Sequence, residues 1–167
     1  GCNIYLQIHL NKMNSNIIIY TDGSCHTQHK IGAWSTIIFY NHQKVVLSGT
    51  AVNTTNQRME LLAVLNAMEY VDLHLKNEKN IQLNSDSQYV IGLIARAEKL
   101  QHKNFITKAG NEIRNIDLVL KWLAYNKQFN IQLTKIKAHQ TESEENRYNI
   151  EVDKLTRKLV RDLVRDL

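Results

Sequence analysis

The chain switches between two hydrophobic periods, and each switch marks an element. Residues 16–22, Asn16-Ile-Ile-Ile-Tyr-Thr-Asp22, form a nearly continuous apolar, β-branched run, the pattern of a central strand covered on both faces. Ala33–Tyr40 and Lys44–Ala51 are strand-like runs on either side of Asn41-His42-Gln43, which predicts a hairpin. From Gln57 to about Lys76 apolar residues recur at helical spacing, Asn80–Asn84 reads as a short strand, and Ser87 to about Ala97 is helical again. A polar, basic stretch follows over 98–110, then an amphipathic helix over Asn111–Asn126, an alternating half-buried strand over Phe129–Ile136, and a last helix from about Asn149.

The order β-β-β-α-β-α-α-β-α places an antiparallel hairpin before strands joined by helical crossovers. It predicts an α/β protein with a mixed five-stranded sheet, part antiparallel over three strands and part parallel, flanked by helices. Sites in such sheets lie beyond the carboxyl ends of parallel strands, where Asp22 and Asp86 are expected.

Two further acids draw attention by phase. Glu60 shares a helical stripe with Val64, Ala67 and Val71, and Asp86 with Val90, Leu93 and Ala97, while Asp153 sits beside the stripe of Val152, Leu155 and Leu159. Each acid also has an ordinary structural use. Asp22 fits a turn before Gly23, Asp86 a helix N-cap, and Asp153 a first-turn acid complementing the helix dipole. Gathered together, these carboxylates could not all stay ionised without a cation. Oxygen-only ligation selects magnesium or manganese, and two such ions can direct water at a phosphodiester.

Composition narrows the partner. Lysine plus arginine number 21 against 16 aspartate plus glutamate, a formal charge of +5, which favours a polyanion. The two cysteines, Cys2 and Cys25, cannot build a disulfide framework. No apolar run approaches the ~20 residues of a membrane span, and no signal-peptide pattern opens the chain. A cytoplasmic protein with no membrane partner is expected. Residues 1–15 read as an N-terminal extension or a remnant of expression, with Met13 a second candidate start, and 16–167 as one domain. The closing repeat of Val160-Arg-Asp-Leu163 as Val164-Arg-Asp-Leu167 prolongs a helix.

The strings around the acids resemble the type 1 ribonuclease H family. Thr21-Asp22-Gly-Ser-Cys25, Thr55-Asn-Gln-Arg-Met-Glu60-Leu and Ser85-Asp86-Ser-Gln-Tyr-Val90 match its three acidic motifs in order. Lys137-Ala-His139, followed by Asn149-Ile-Glu-Val-Asp153-Lys-Leu-Thr-Arg157, resembles its histidine loop and last acidic helix, and the likeness covers about residues 16–160. It implies the RNase H-like fold and hydrolysis of the RNA strand of RNA–DNA hybrids, leaving 5′-phosphate and 3′-hydroxyl ends. It also implies that Asp22, Glu60, Asp86 and Asp153 hold two Mg2+ ions, with Mn2+ able to substitute, and that His139 assists proton transfer or product departure. By the same resemblance Cys25, Asn56, Gln57 and Gln88 would line the hybrid's minor groove, where 2′-hydroxyls distinguish the strands. Asn56 and Gln57 could equally cap the helix, and Cys25 could be a small buried residue.

Three departures from the family pattern stand out. The turn Cys25–Gly32 is short and carries His26 and His29, so contacts made by the family's longer turn do not carry over. Glu98–Arg114 resembles the basic protrusion that grips the DNA strand, offering Lys99, His102, Lys103, Lys108 and Arg114, with Lys103 and Lys108 the chosen contacts, yet it lacks tryptophan. The loop from His139 to Asn149 is long and acidic, with Glu142, Glu144 and Glu145, which could approach a metal or repel phosphate. A monomer is expected. The alternatives are the corresponding domain of a reverse transcriptase, a hybrid-binding module without catalysis, or another nuclease or recombinase sharing the sheet. Retention of the acids and His139 argues against a pure binder, and the Asn56-Gln57 string against an enzyme acting on DNA alone.

Overall fold

The computed structural model describes residues 16–137 and 141–167. A five-stranded sheet runs in the order β3-β2-β1-β4-β5, built from β1 Ile17–His26, β2 Ile31–Tyr40, β3 Gln43–Ala51, β4 Asn80–Ser85 and β5 Asn130–Lys135. The helices are α1 Asn56–His74, α2 Gln88–Ala95, α3 Ala97–His102, α4 Ile116–Gln128 and α5 Arg147–Arg165. β2 is antiparallel to β1 and β3, whereas β4 is parallel to β1 and β5. The mixed sheet and its antiparallel and parallel halves are as the periodicity predicts.

β1 carries the site because its two ladders have unequal lengths. Pairing with β4 stops at Thr21↔Ser85, but pairing with β2 continues through Asp22↔Ser35 to His26↔Ile31. Asp22 is therefore not a turn residue; the continuing hairpin holds it in extended backbone just past the parallel ladder.

Strand alternation then divides the core. Ile17 and Ile19 pack with Leu61, Val64, Met68 and Trp122 from α1 and α4. Ile18 and Tyr20 lie on the opposite face with Ile37, Phe39, Tyr148 and Val152. Trp122 is fully buried and satisfies its indole by donating to the Val90 carbonyl at 3.1 Å, tying α4 to α2. Each large apolar side chain buried this way contributes about 1.5–3 kcal/mol. On the other face, Ser35 Oγ donates to the Val152 carbonyl at 2.9 Å and also bonds the Thr156 hydroxyl, fixing α5 against β2.

Local expectations changed in four places. The helix predicted over Asn111–Asn126 begins only at Ile116, because Ile106 bridges to Glu112 and Asn115 adopts a left-handed φ of 60°. Thr55, not Asn56 or Gln57, caps α1, its hydroxyl accepting from Arg58 N at 3.2 Å. Ser87, not Asp86, caps α2, accepting from Val90 N at 3.1 Å. Because α5 starts at Arg147, Asp153 lies beyond the first turn, where dipole stabilisation has largely decayed. Among the described residues, no helix is long and apolar enough to cross a membrane.

Candidate active site

Gly23 lets β1 and α1 meet. A Cβ there would lie 2.4 Å from both Glu60 N and Met59 C, so only glycine permits this approach, which brings Glu60 to the Asp22 end of β1. The junction is fastened next door. Cys25 N donates to Asn56 Oδ1 at 2.6 Å, and Cys25 Sγ contacts the Thr54 carbonyl at 3.4 Å. Asn56 is thus committed to β1 rather than to capping its own helix. Cys25 is half-buried, whereas Asn56, Gln57 and Gln88 are exposed at the helix starts. Gln88 Oε1 accepts from Lys135 Nζ at 2.7 Å.

Asp22, Asp86 and Asp153 line one cleft of about 290 Å3. Lys137, Lys154 and Arg157 share its walls, and Glu142, Asn146 and Asn149 line it from the loop and helix side. Of the acidic loop, Glu142 is therefore the residue that approaches the cluster. His139 lies outside the described residues.

Electrostatics register the crowding. Burial, then the charges of Asp86 and Asp153, push the Asp22 carboxyl up to about 8, with Glu60 adding a smaller push and the Gly23 amide opposing them. Glu60 is also raised, first by burial, against a lowering hydrogen bond from Ser87 and a further rise from Asp86. The Ser87 hydroxyl thus serves twice, donating to Glu60 Oε2 while capping α2. Asp153 Oδ2 is held by Arg157 Nη2 at 2.7 Å. Neither Ser87 nor Arg157 was identified from sequence as a partner of the acids. A Ser one residue after Asp86 and an Arg four residues after Asp153 were the available signals.

The donor set fits hard cations. It is all oxygen, and burial with two acidic neighbours raises its central carboxyl, a crowding that a cation would relieve. Among the described residues, no three Asp, Glu, His or Cys side chains close around a single point. Glu60 Oε2 accepts from Ser87 and Asp153 Oδ2 pairs with Arg157, each contact engaging one oxygen of its carboxylate.

Residues 14–161 match the RNase H family. The chain belongs to the RNase H family. It is 32% identical over 149 residues to a ribonuclease H of Caldicellulosiruptor saccharolyticus, covering 88% of this chain and 97% of that protein. A ribonuclease H of Chlorobium phaeobacteroides is 33% identical over 152 residues, covering 90% and 99%. Among solved structures, LC9-RNase H1, a type 1 RNase H with the type 2 active-site motif, superposes with a TM-score of 0.73 at 18% identity, covering 87% of this chain and 72% of that one. A foamy viral protease-reverse transcriptase in complex with dsDNA gives 0.68 at 17% identity, covering 86% and 93%. Both likenesses show the fold, while the sequence relatives establish an RNase H enzyme.

The basic segment of this RNase H is built differently from a plain polar helical hairpin. Leu100, Phe105 and Ile113 pack partly against the core, and Arg96, Lys99, Lys103 and Lys108 line a shared surface cavity of about 210 Å3. Lys103 and Lys108 are therefore presented together on an anchored platform.

Proposed function

We propose that this RNase H is an endonuclease that cuts the RNA strand of RNA–DNA hybrids at the Asp22 cleft, using Asp22, Glu60, Asp86 and Asp153 to hold two Mg2+ ions. The observation that carries this reading is the convergence of Asp22, Asp86 and Asp153 on one cleft, with Asp22 raised by its acidic neighbours. Bound there, the ions would supply the Lewis acidity that activates water and stabilises the leaving oxygen, giving 5′-phosphate and 3′-hydroxyl ends.

The chain's own residues do the rest. Asp22 and Asp86 approach from adjacent strand ends, Glu60 from α1 and Asp153 from α5, so the ligands sit on rigid elements that preserve their spacing. Ser87 donates to Glu60 and partly offsets the rise that burial imposes on its carboxyl, and Arg157 holds Asp153. Lys137 and Lys154 in the same cleft favour the approach of phosphate to a site otherwise rich in negative charge. Asn56, Gln57, Gln88 and Cys25 would face the minor groove, with Asn56 kept in place by the Cys25 amide and Gln88 by Lys135. Lys103 and Lys108 would contact DNA phosphates, and His139 would move a proton near the product.

The test is cleavage of a hybrid labelled on its RNA strand, in magnesium and then with chelator, beside RNA–RNA and DNA–DNA duplexes. Cutting of the hybrid RNA alone, lost with chelator and in Asp22→Asn, is expected. Equal cutting by Asp22→Asn, or equal cutting of duplex DNA, would overturn the proposal.

A further inference from the structure

A second cavity adjoins the carboxylate cleft on the α5 side of β1. It is an open surface cavity of about 540 Å3, lined by Ser24 and His26 from β1 and by Arg157, Arg161 and Arg165 from α5. Its floor is apolar, made by Val160 and Val164. We infer that this cavity is a second nucleic-acid contact, in which Arg161 and Arg165 take backbone phosphates of the substrate strand beyond the cutting site. The inference rests on the hybrid-cleaving reading above.

Three observations support it. First, Arg157 lines both the carboxylate cleft and this cavity, so the two are neighbours along α5 and a strand seated at Asp22 passes close to the second. Second, Arg157, Arg161 and Arg165 recur every fourth residue, placing cations about 6 Å apart along the helix axis. A row of charges suits a strand of phosphates better than a single small anion. Third, although Arg157 pairs with Asp153, the two outer cations are not tied down by other elements. Arg161 forms no ion pair among the described residues, and Arg165 pairs only with Asp162 of its own helix, across a contact in which the arginine is 71% exposed. Such an exposed pair contributes at most about 1 kcal/mol and yields readily to a phosphate.

The chemistry of the cavity favours nucleic acid over an acidic peptide. Guanidinium groups give forked hydrogen bonds to phosphate, and the valine floor with the His26 ring beside it offers an apolar surface for a sugar or an unstacked base. His26 lies 4.9 Å from the His29 ring, so the short first turn supplies a small aromatic platform. That turn and the tail of α5 therefore share one use that neither suggested alone.

The test compares Arg161→Ala/Arg165→Ala with wild type and with Lys121→Ala/Lys127→Ala, which removes the same charge from exposed positions on α4. Binding of a long labelled hybrid is measured by anisotropy over a series of salt concentrations, with chelator present to prevent cutting. Each lost phosphate contact should flatten the log K against log [salt] slope by about 0.7–0.9. The arginine pair should therefore reduce it by about 1.4–1.8, and the lysine control should leave it unchanged. An unchanged slope in the arginine variant, or an equal reduction in the lysine control, overturns the inference. If wild type still cleaves hybrid RNA in magnesium in either case, only the second contact falls. If wild type neither binds nor cleaves hybrid, both proposals fall.

Discussion

Replacing Gly23 with alanine should damage activity more than its single added methyl suggests. The new Cβ would stand 2.4 Å from Glu60 N and Met59 C and 2.6 Å from the Met59 carbonyl oxygen, all backbone atoms, whereas ordinary contact begins near 3.4 Å. Helix α1 must therefore retreat by about 1 Å at Glu60, because β1 is held on its other side by the ladder to β2. Overpacking of this kind costs about 1–3 kcal/mol, or roughly 2–12 °C in Tm at this chain length. The larger effect is geometric. A 1 Å misplacement of a reacting group can lower rate by about 100-fold, and Glu60 moves while Asp22 stays. Urea denaturation should report the first effect, and single-turnover cleavage of hybrid RNA, measured well below the unfolding midpoint, the second. An unchanged urea midpoint would refute the steric argument, and an unchanged rate in folded variant would refute the dependence of chemistry on the Glu60 position.

Metal-free protein should become less stable as pH rises from about 4 to 8. Folded Asp22 keeps its proton up to about 8 while the unfolded residue loses it near 3.8, so the folded state binds more protons across that window and loses stability as they leave. Asp22→Asn should shrink the fall, with the remainder carried by the raised Glu60, and should leave the variant more stable than wild type at pH 8 in chelator by more than about 1 kcal/mol, with no such gain near pH 4; equal pH profiles would contradict this. Ser87→Ala removes both the α2 cap and the hydroxyl that lowers the Glu60 pKa. It should cost about 1 kcal/mol in urea denaturation and move the acidic limb of the cleavage profile to higher pH, whereas an unmoved limb would separate Ser87 from Glu60 chemistry. Arg58 reaches Asp117 through two bonds of 3.1 and 2.8 Å, but with side chains 35% and 58% exposed a double-mutant cycle should give less than about 1 kcal/mol of coupling.

Element types were legible because they rest on period, and the mixed sheet followed from their succession along the chain. The Ile17–Ile19 run and the two strand-like runs on either side of Asn41-His42-Gln43 declared the central strand and hairpin without tertiary help. What sequence could not supply was competition between near neighbours. Thr55 and Ser87 took the caps for which Asn56 and Asp86 also qualified, and the displaced Asn56 bonded the Cys25 amide across the β1–α1 junction. The false start of α4 has the same origin, since residues 111–115 carry a helical pattern but are captured by the Ile106↔Glu112 bridge and the left-handed Asn115. Within the site, Asp22 and Asp86 followed from topology. Asp153 did not, because its position depends on the Ser35 hydroxyl docking α5 on β2, a contact between residues far apart in the chain.

That docking also explains how one fold edge can tolerate so many acids. Asp22 emerges where β4 has ended and β2 has not, so the sheet itself leaves a gap into which α1, α2 and α5 can each deliver or position a carboxylate. The repulsion this creates appears in the raised Asp22 and Glu60, and the fold contains it locally through Ser87, Arg157 and the lysines of the cleft. Stability comes from elsewhere, chiefly the apolar packing of α1 and α4 on the opposite face. Separating the two has a functional consequence. In the proposed metal-bound state these acids would gain a cation without disturbing the core, and Arg157 lines both the cleft and the second cationic cavity. Such a site is suited to take up the proposed metal together with phosphate, each supplying the counter-charge that the other lacks.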